Sequence, residues 1–171
     1  IGRIFEGSTQ VMYLIMGREA MDTHFRLVMP ILQPKPGQKE SKAQLLMKAA
    51  KYYVKWYPGL YVPNLSDFNV KYLSANNKSQ LGYIERTSRK LARVLFHTMG
   101  KYKEKLEFEQ CILGNFVEIG VDLFAMAAVL ALAEAKLSEN PSDTTPNELA
   151  DLFCKNAKAR IRNNFRAVGK N

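Results

Sequence analysis

The sequence predicts an all-α fold, an antiparallel bundle of four or five helices. Apolar residues recur at the three- and four-residue spacing of amphipathic helices, and residues typical of helix ends separate these segments. No alternating strand pattern and no internal repeat accompanies them. The 171 residues, of which 47% are hydrophobic, are enough to bury one core. We therefore expect one compact domain, alone or with an appended element.

The first predicted helix runs from Thr9 to Met29 and ends at Pro30, because proline lacks the amide hydrogen that would continue it. Its predicted apolar face consists of Val11, Leu14, Ile15, Phe25 and Val28.

A linker is predicted at residues 31–40, where proline, glycine and charged residues accumulate as they do in exposed connections. This linker separates residues 1–30 from a second helical region at residues 41–171.

The second predicted helix begins after Ser41, which forms a capping-box pattern with Gln44. Helical spacing continues over residues 42–57, and Pro58 and Gly59 end it. A third helix follows a break at Asn76 and Asn77. Its apolar positions are Leu81, Ile84, Leu91, Leu95, Met99 and Tyr102.

The third helix is expected to bend or end near Gly100. The fourth predicted helix, from Cys111 to Ala133, is the most apolar part of the chain. Its length approaches that of a membrane span. However, Glu118 and Asp122 interrupt it, and an acidic residue at the centre of a bilayer costs about 2.5–3.5 kcal/mol. We therefore predict the central helix of a bundle.

The last predicted helix begins at Thr145, with Pro146 in the first helical position and Glu148 completing a capping box. Leu149, Leu152, Phe153, Ile161 and Phe165 line one face.

The net charge of +9 favours acidic partners, namely coenzyme A phosphates, nucleic acid or an anionic membrane surface. No nucleic-acid recognition motif accompanies the charge, so we interpret the aromatic residues beside Lys48, Lys51 and Lys55 as core and predict no nucleic-acid partner. The last helix carries a basic row that fits either an anionic lipid surface or a solvated face. That row is Lys158, Arg160, Arg162 and Arg166.

Cys111 and Cys154 are far apart in sequence, so we predict reduced, buried thiols. His24 and His97 have no second histidine at metal-ligand spacing, and we predict no metal site.

The first ten residues contain the pattern most indicative of chemistry. Gly7 after Phe5-Glu6 predicts the end of a helix, and Ser8 or Thr9 can cap the next one. Glu6 then lies at a helix junction, where its pKa can be tuned for proton abstraction. The alternative is a surface glutamate in a capped turn.

The run from Arg3 to Gln10, with Arg18-Glu19 in the helix that follows, resembles the catalytic turn of flavin-dependent acyl-CoA dehydrogenases. That turn is commonly Arg-Ile-(Phe/Tyr)-Glu-Gly-(Thr/Ser). Some long-chain and bacterial members carry a further helical region, which residues 41–171 resemble. Residues 1–30 would then be the tail of the C-terminal helical dehydrogenase domain. We expect a longer polypeptide whose flavin-binding helices and middle β-domain precede Glu6. We expect the 171 residues alone to be inactive.

The resemblance implies that Glu6 removes the α-proton of a fatty acyl-CoA thioester while the flavin N5 takes a hydride from the β-carbon. Phe5 would wall the acyl channel, and Gly7 would let the backbone pass close to the thioester. The cofactor-binding residues would be Ser8, Thr9 and Gln10, which would contact flavin adenine dinucleotide (FAD). Ser8 stands in place of a commoner threonine.

The resemblance also implies an enzyme of fatty acid β-oxidation that self-associates as a dimer or tetramer and passes electrons to an electron-transferring flavoprotein. Its location would be a bacterial cytoplasm or the mitochondrial matrix, with peripheral contact to an anionic membrane surface. The alternative is a non-catalytic helical module for interaction or membrane docking that shares the turn by descent.

Overall fold

A computed structural model describes residues 9–34, 40–62 and 69–170. These described residues form five α-helices and no β-strand, which confirms the predicted all-α class. A 3₁₀ turn, Lys103–Phe108, precedes the fourth helix. The helices are α1 (Thr9–Leu32), α2 (Lys42–Gly59), α3 (Ala75–Tyr102), α4 (Gln110–Glu139) and α5 (Thr145–Lys170).

The chain divides into two compact units, unit 1 (Ile1–Val62) and unit 2 (Pro63–Asn171). The helix α2 therefore groups with α1, although the sequence places a linker at residues 31–40 between them. Residues 35–39 of that linker lie outside the described part of the chain. The division into domains at this linker stays a prediction.

In unit 2, α4 runs antiparallel to both α3 and α5. Arg160 of α5 pairs with Asp122 of α4. Asn164, one turn after Arg160 in α5, donates to Glu118, one turn before Asp122 in α4, so α4 and α5 run in opposite directions. The core of unit 2 forms where the three helices meet. Its buried members are Leu73, Ile119, Leu123, Met126, Leu130, Ala133, Leu137, Ala150, Cys154, Ala157 and Ile161.

The segment before α3 is tied to α4 by Glu134. Its carboxylate accepts backbone hydrogen bonds from Lys71 at 2.7 Å, Tyr72 at 3.0 Å and Leu73 at 2.9 Å. Because three consecutive backbone amides donate to this one carboxylate, Glu134 fixes the entry of the chain into α3.

By length and composition α4 could cross a membrane, but 44% of its most apolar window is buried inside unit 2. Its aspartate, Asp122, is paired with Arg160. Both observations support the predicted role of α4 as the central helix of a bundle.

In unit 1, α1 and α2 meet through aromatic side chains. The Nδ1 atom of His24 lies 3.0 Å from the hydroxyl oxygen of Tyr53, and the ring centroids of His24 and Trp56 are 4.8 Å apart. Tyr52, Tyr53 and Trp56 are half-buried, which fits their interpretation as core residues.

Two prolines do not end their helices where the sequence predicts. Pro30 and Pro58 lie inside the last turns of α1 and α2. A proline removes one hydrogen bond, but later amides can still bond to earlier carbonyls, as Gln33 does to Met29 at 2.8 Å.

The predicted break at Asn76 and Asn77 is wrong. Both residues lie in the first turn of α3, where the Ser74 hydroxyl oxygen accepts from the amide of Asn77 at 3.3 Å.

The predicted apolar face of α1 is partly wrong, because Val11 and Ile15 are exposed while Met21 and His24 are buried. The surface of α1 that packs on α2 is narrower than the predicted apolar face. Cys154 is buried as predicted, and burial raises the pKa of its thiol, but Cys111 is exposed at the start of α4.

Candidate functional site

The residues of the predicted catalytic turn, Phe5, Glu6, Gly7 and Ser8, lie outside the described part of the chain. The described structure starts with α1 at Thr9, followed by Gln10, and covers the backbone of these two residues. The assignment of the turn to catalysis, substrate and cofactor stays a prediction.

The described residues do contain one groove with strong chemical character, between α3 and α5 of unit 2. Its volume is about 580 Å³. Five of its eight lining residues are arginine or lysine, and no lining residue is acidic. The lining consists of Tyr83, Arg86, Thr87, Lys90, Arg93, Arg162, Phe165 and Arg166.

Aromatic rings hold two lysine side chains at this groove. The ammonium nitrogen of Lys90 lies 4.4 Å from the ring centroid of Phe165, and that of Lys158 lies 4.5 Å from the ring centroid of Tyr83. These cation–π contacts link α3 to α5 and keep positive charge beside the groove.

A glycine makes room for one of the arginines. A Cβ atom at Gly82 would stand 3.2 Å from the Nη1 atom of Arg86. The Arg86 guanidinium therefore lies back over the preceding turn of α3, in space that any larger residue at position 82 would share.

The basic row predicted on the last helix is not one surface. Arg162 and Arg166 line the groove and Lys158 lies beside it, but Arg160 points to α4, where its Nη2 atom lies 2.6 Å from Oδ1 of Asp122. The reason is helical geometry, because residues four apart share a face and residues two apart do not. The hydrogen bond to Asp122 also raises the pKa of Arg160.

Sequence reasoning missed the half of the groove that α3 contributes. Arg86, Lys90 and Arg93 recur at helical spacing, and this repeat was the available signal. What places them opposite Arg162 and Arg166 is the parallel course of α3 and α5, which only the packing of both helices on α4 establishes.

Across residues 9–34, 40–62 and 69–170, no group of three or more histidine, cysteine, aspartate or glutamate side chains is placed to hold a metal ion.

The model of the ACAD9/ACADV, C-terminal domain family matches residues 78–171, which is more than half of the chain and includes the whole groove. The probable acyl-CoA dehydrogenase FadE10 of Mycobacterium tuberculosis (strain ATCC 25618 / H37Rv) is 36% identical over 173 residues, covering 100% of this chain. The chain spans about a quarter, 26%, of the length of FadE10.

Two mitochondrial proteins are similar over a shorter stretch. The very long-chain specific acyl-CoA dehydrogenase of Bos taurus is 38% identical over 69 residues, covering 40% of this chain and 10% of that protein. The human protein of the same name is 33% identical over 84 residues, covering 48% of this chain and 13% of that protein. No solved structure matches the chain significantly. The chain therefore belongs to the ACAD9/ACADV C-terminal domain family and is homologous to the C-terminal helical region of acyl-CoA dehydrogenases.

Proposed function

We propose that this chain is the C-terminal part of an FAD-dependent acyl-CoA dehydrogenase that forms the α,β double bond of fatty acyl-CoA thioesters in fatty acid β-oxidation. The observation that carries the proposal is the 36% identity to FadE10 over 100% of this chain. Residues 1–30 would belong to the dehydrogenase domain, residues 31–40 to a linker, and residues 41–171 to a helical extension.

In this proposal Glu6 is the catalytic base that takes the α-proton of the thioester. A proton beside a thioester becomes acidic as negative charge develops on the carbonyl oxygen, so the base must lie within hydrogen-bond reach in a site that excludes water. The backbone amide of Glu6 would stabilise the oxygen, and Gly7 would leave space for the thioester. Phe5 would form the wall that keeps the acyl chain dry.

The bound cofactor, FAD, supplies the hydride acceptor. Ser8, Thr9 and Gln10 would contact it, because they match the positions that touch the flavin dinucleotide in the family that the chain resembles. We propose that the 171-residue chain alone is inactive, because these residues form one edge of a pocket whose other walls belong to the rest of the enzyme.

The proposed partners follow from the same assignment. They are a fatty acyl-CoA substrate, an electron-transferring flavoprotein, and further copies of the same enzyme in a dimer or tetramer. The proposed location is the bacterial cytoplasm or the mitochondrial matrix.

The second candidate function is membrane docking or interaction by a non-catalytic module. The surface of α2 favours it, because Leu46, Met47 and Val54 are 59%, 74% and 74% exposed on a helix that also exposes Lys51 and Lys55. Exposed apolar and basic side chains on one helix suit the interface of an anionic membrane. Docking is compatible with catalysis elsewhere in the same enzyme, and it stands alone only if Glu6 is not a base.

The deciding experiment is Glu6→Gln in the full-length enzyme. An amide nitrogen cannot accept the α-proton, so the rate of flavin reduction by acyl-CoA should fall about 10²–10⁴-fold. Stopped-flow absorbance of the flavin measures this rate, and the flavin content and melting temperature should stay unchanged. Glu139→Gln, at the exposed end of α4, is the matched control. A Glu6→Gln enzyme that reduces its flavin at nearly the wild-type rate would remove Glu6 from the base role and favour the non-catalytic module.

A further inference from the structure

We propose that the groove between α3 and α5 binds a soluble ligand that carries at least two phosphate groups. The proposal is independent of the catalytic role of Glu6. It begins from the charge of the lining, because Arg86, Lys90 and Arg93 face Arg162 and Arg166 without a lining acidic residue. Cations gathered on both walls of a concave site concentrate positive potential there and attract an anion.

Two acidic side chains on the helices of unit 2 pair with arginines that do not line the groove. Glu85, next to Arg86 in α3, forms an ion pair with Arg89, and Asp122 is engaged by Arg160. Arg93 has a further interaction of its own, so the lining cations available to a ligand are Arg86, Lys90, Arg162 and Arg166. An external anion would neutralise the positive charge of these side chains.

The type of cation points to phosphate. Four of the five lining cations are arginines, whose planar guanidinium groups donate paired hydrogen bonds that match phosphate oxygens. The cation–π contacts of Lys90 with Phe165 and of Lys158 with Tyr83 restrict two further ammonium groups. Restricting them before binding reduces the entropy that a ligand must remove.

The number of cations points to more than one phosphate. One phosphate group carries a charge of about −1.5 to −2 near neutral pH, so the four cations Arg86, Lys90, Arg162 and Arg166 exceed what a single phosphate can balance. The groove, at about 580 Å³, has the size of sites for small molecules. Its cations line the two walls of a concavity, which suits a compact soluble ligand better than a flat lipid surface.

The test is isothermal titration calorimetry of the 171-residue chain with sodium pyrophosphate and with ADP, in parallel with inorganic phosphate. The groove variant is Arg162→Gln with Arg166→Gln, and a second variant, Arg86→Gln, tests the α3 wall. The matched control is Lys136→Gln with Lys155→Gln, which removes the same number of positive charges from two ion-paired lysines of unit 2 whose side chains are 58% and 66% exposed.

We expect saturable binding of pyrophosphate and ADP with one ligand per chain, and weaker binding of inorganic phosphate. The groove variant should weaken pyrophosphate binding at least about tenfold, since charge-assisted hydrogen bonds to phosphate are lost, and Arg86→Gln should weaken it in the same direction. The control should change the affinity by less than about twofold, because screened exposed charges contribute little. All variants should keep the wild-type helical circular dichroism.

Three results would overturn the proposal. The first is equal weakening in the groove variant and the control, which would mean attraction by net charge. The second is absence of saturable pyrophosphate and ADP binding. The third is that the chain co-sediments with vesicles of anionic phospholipid, that the groove variant does not, and that pyrophosphate does not bind. This result would assign the groove to a membrane surface.

Discussion

His24 is the residue through which α1 and α2 meet, and its surroundings make it sensitive to pH. Only 8% of the residue is exposed, its Nδ1 atom lies 3.0 Å from the Tyr53 hydroxyl oxygen, and its ring stacks on that of Tyr53. Burial lowers the pKa of His24 below its ordinary value of 6.5, because a charged imidazolium loses hydration there. Burial likewise raises the pKa of Tyr53.

The lowered pKa predicts the direction in which pH changes the stability of unit 1. Well above pH 6.5, His24 is neutral in both the folded and the unfolded chain, so its titration does not change the free energy of unfolding there. Between 6.5 and the lower folded pKa, the unfolded chain binds a proton that the folded chain resists, so the free energy of unfolding falls as pH falls. Denaturant titrations at several pH values, followed by the fluorescence of the single tryptophan, Trp56, measure this change.

A phenylalanine at position 24 keeps the ring and removes the titration. His24→Phe should therefore abolish this part of the pH dependence, whereas His97→Phe, at an exposed position of α3, should leave it intact. A pH dependence that survives unchanged in His24→Phe would contradict the assignment to His24.

At the scale of helices, the sequence predicts local features well and tertiary pairings poorly. The capping box of α2 is confirmed, with the Ser41 amide 2.9 Å from the Gln44 side-chain oxygen and the Gln44 amide 3.3 Å from the Ser41 hydroxyl oxygen. Such motifs depend on residues three apart. The basic groove depends on α3 and α5 lying side by side and parallel, and neither helix alone carries that information.

The pairing of Arg160 with Asp122 is the clearest case of a tertiary contact that local reading missed. In the sequence of α5 alone, Arg160 is one charge in a basic row. In the sequence of α4 alone, Asp122 interrupts an apolar run. In the structure Arg160 donates to both carboxylate oxygens of Asp122, from Nε at 3.1 Å to each. The Asp122 side chain is 12% exposed and that of Arg160 is 52% exposed.

This pair predicts an asymmetric effect on stability. Arg160→Met should lower the free energy of unfolding of unit 2 by about 1–3 kcal/mol, because it leaves a buried carboxylate without its main donor. Asp122→Leu combined with Arg160→Met should recover much of that loss, since no charge is left buried. Urea unfolding followed by far-ultraviolet circular dichroism gives all the values of the double-mutant cycle.

The ion pair of Lys155, whose side chain is 66% exposed, with Asp151 provides the control for this cycle. Lys155→Met should change stability by less than about 0.5 kcal/mol, as exposed ion pairs contribute little. If Arg160→Met were as mild as Lys155→Met, Asp122 would have to be hydrated rather than held by Arg160.

At the scale of the whole molecule, the two compact units differ in how much apolar surface they bury. Among the described residues of unit 1, the buried apolar side chains are Met21 and Ala49, whereas unit 2 has the continuous core along α4. Two helices with few buried side chains are marginally stable, because helix stability comes mainly from packing. The 171 residues thus combine a weakly packed helix pair with a well-packed three-helix bundle.

This difference predicts that the 171-residue chain does not unfold in one step. Trp56 belongs to unit 1, so its fluorescence follows that unit, while far-ultraviolet circular dichroism is dominated by the longer helices of unit 2. In a urea titration the fluorescence midpoint should come at lower urea than the circular-dichroism midpoint, because transitions of different probes coincide only in a two-state system. Leu130→Ala, in the core of unit 2, should lower the circular-dichroism midpoint by an amount equivalent to about 2–5 kcal/mol and leave the fluorescence midpoint in place. Coincident midpoints that shift together in Leu130→Ala would mean instead that the chain unfolds as one cooperative body.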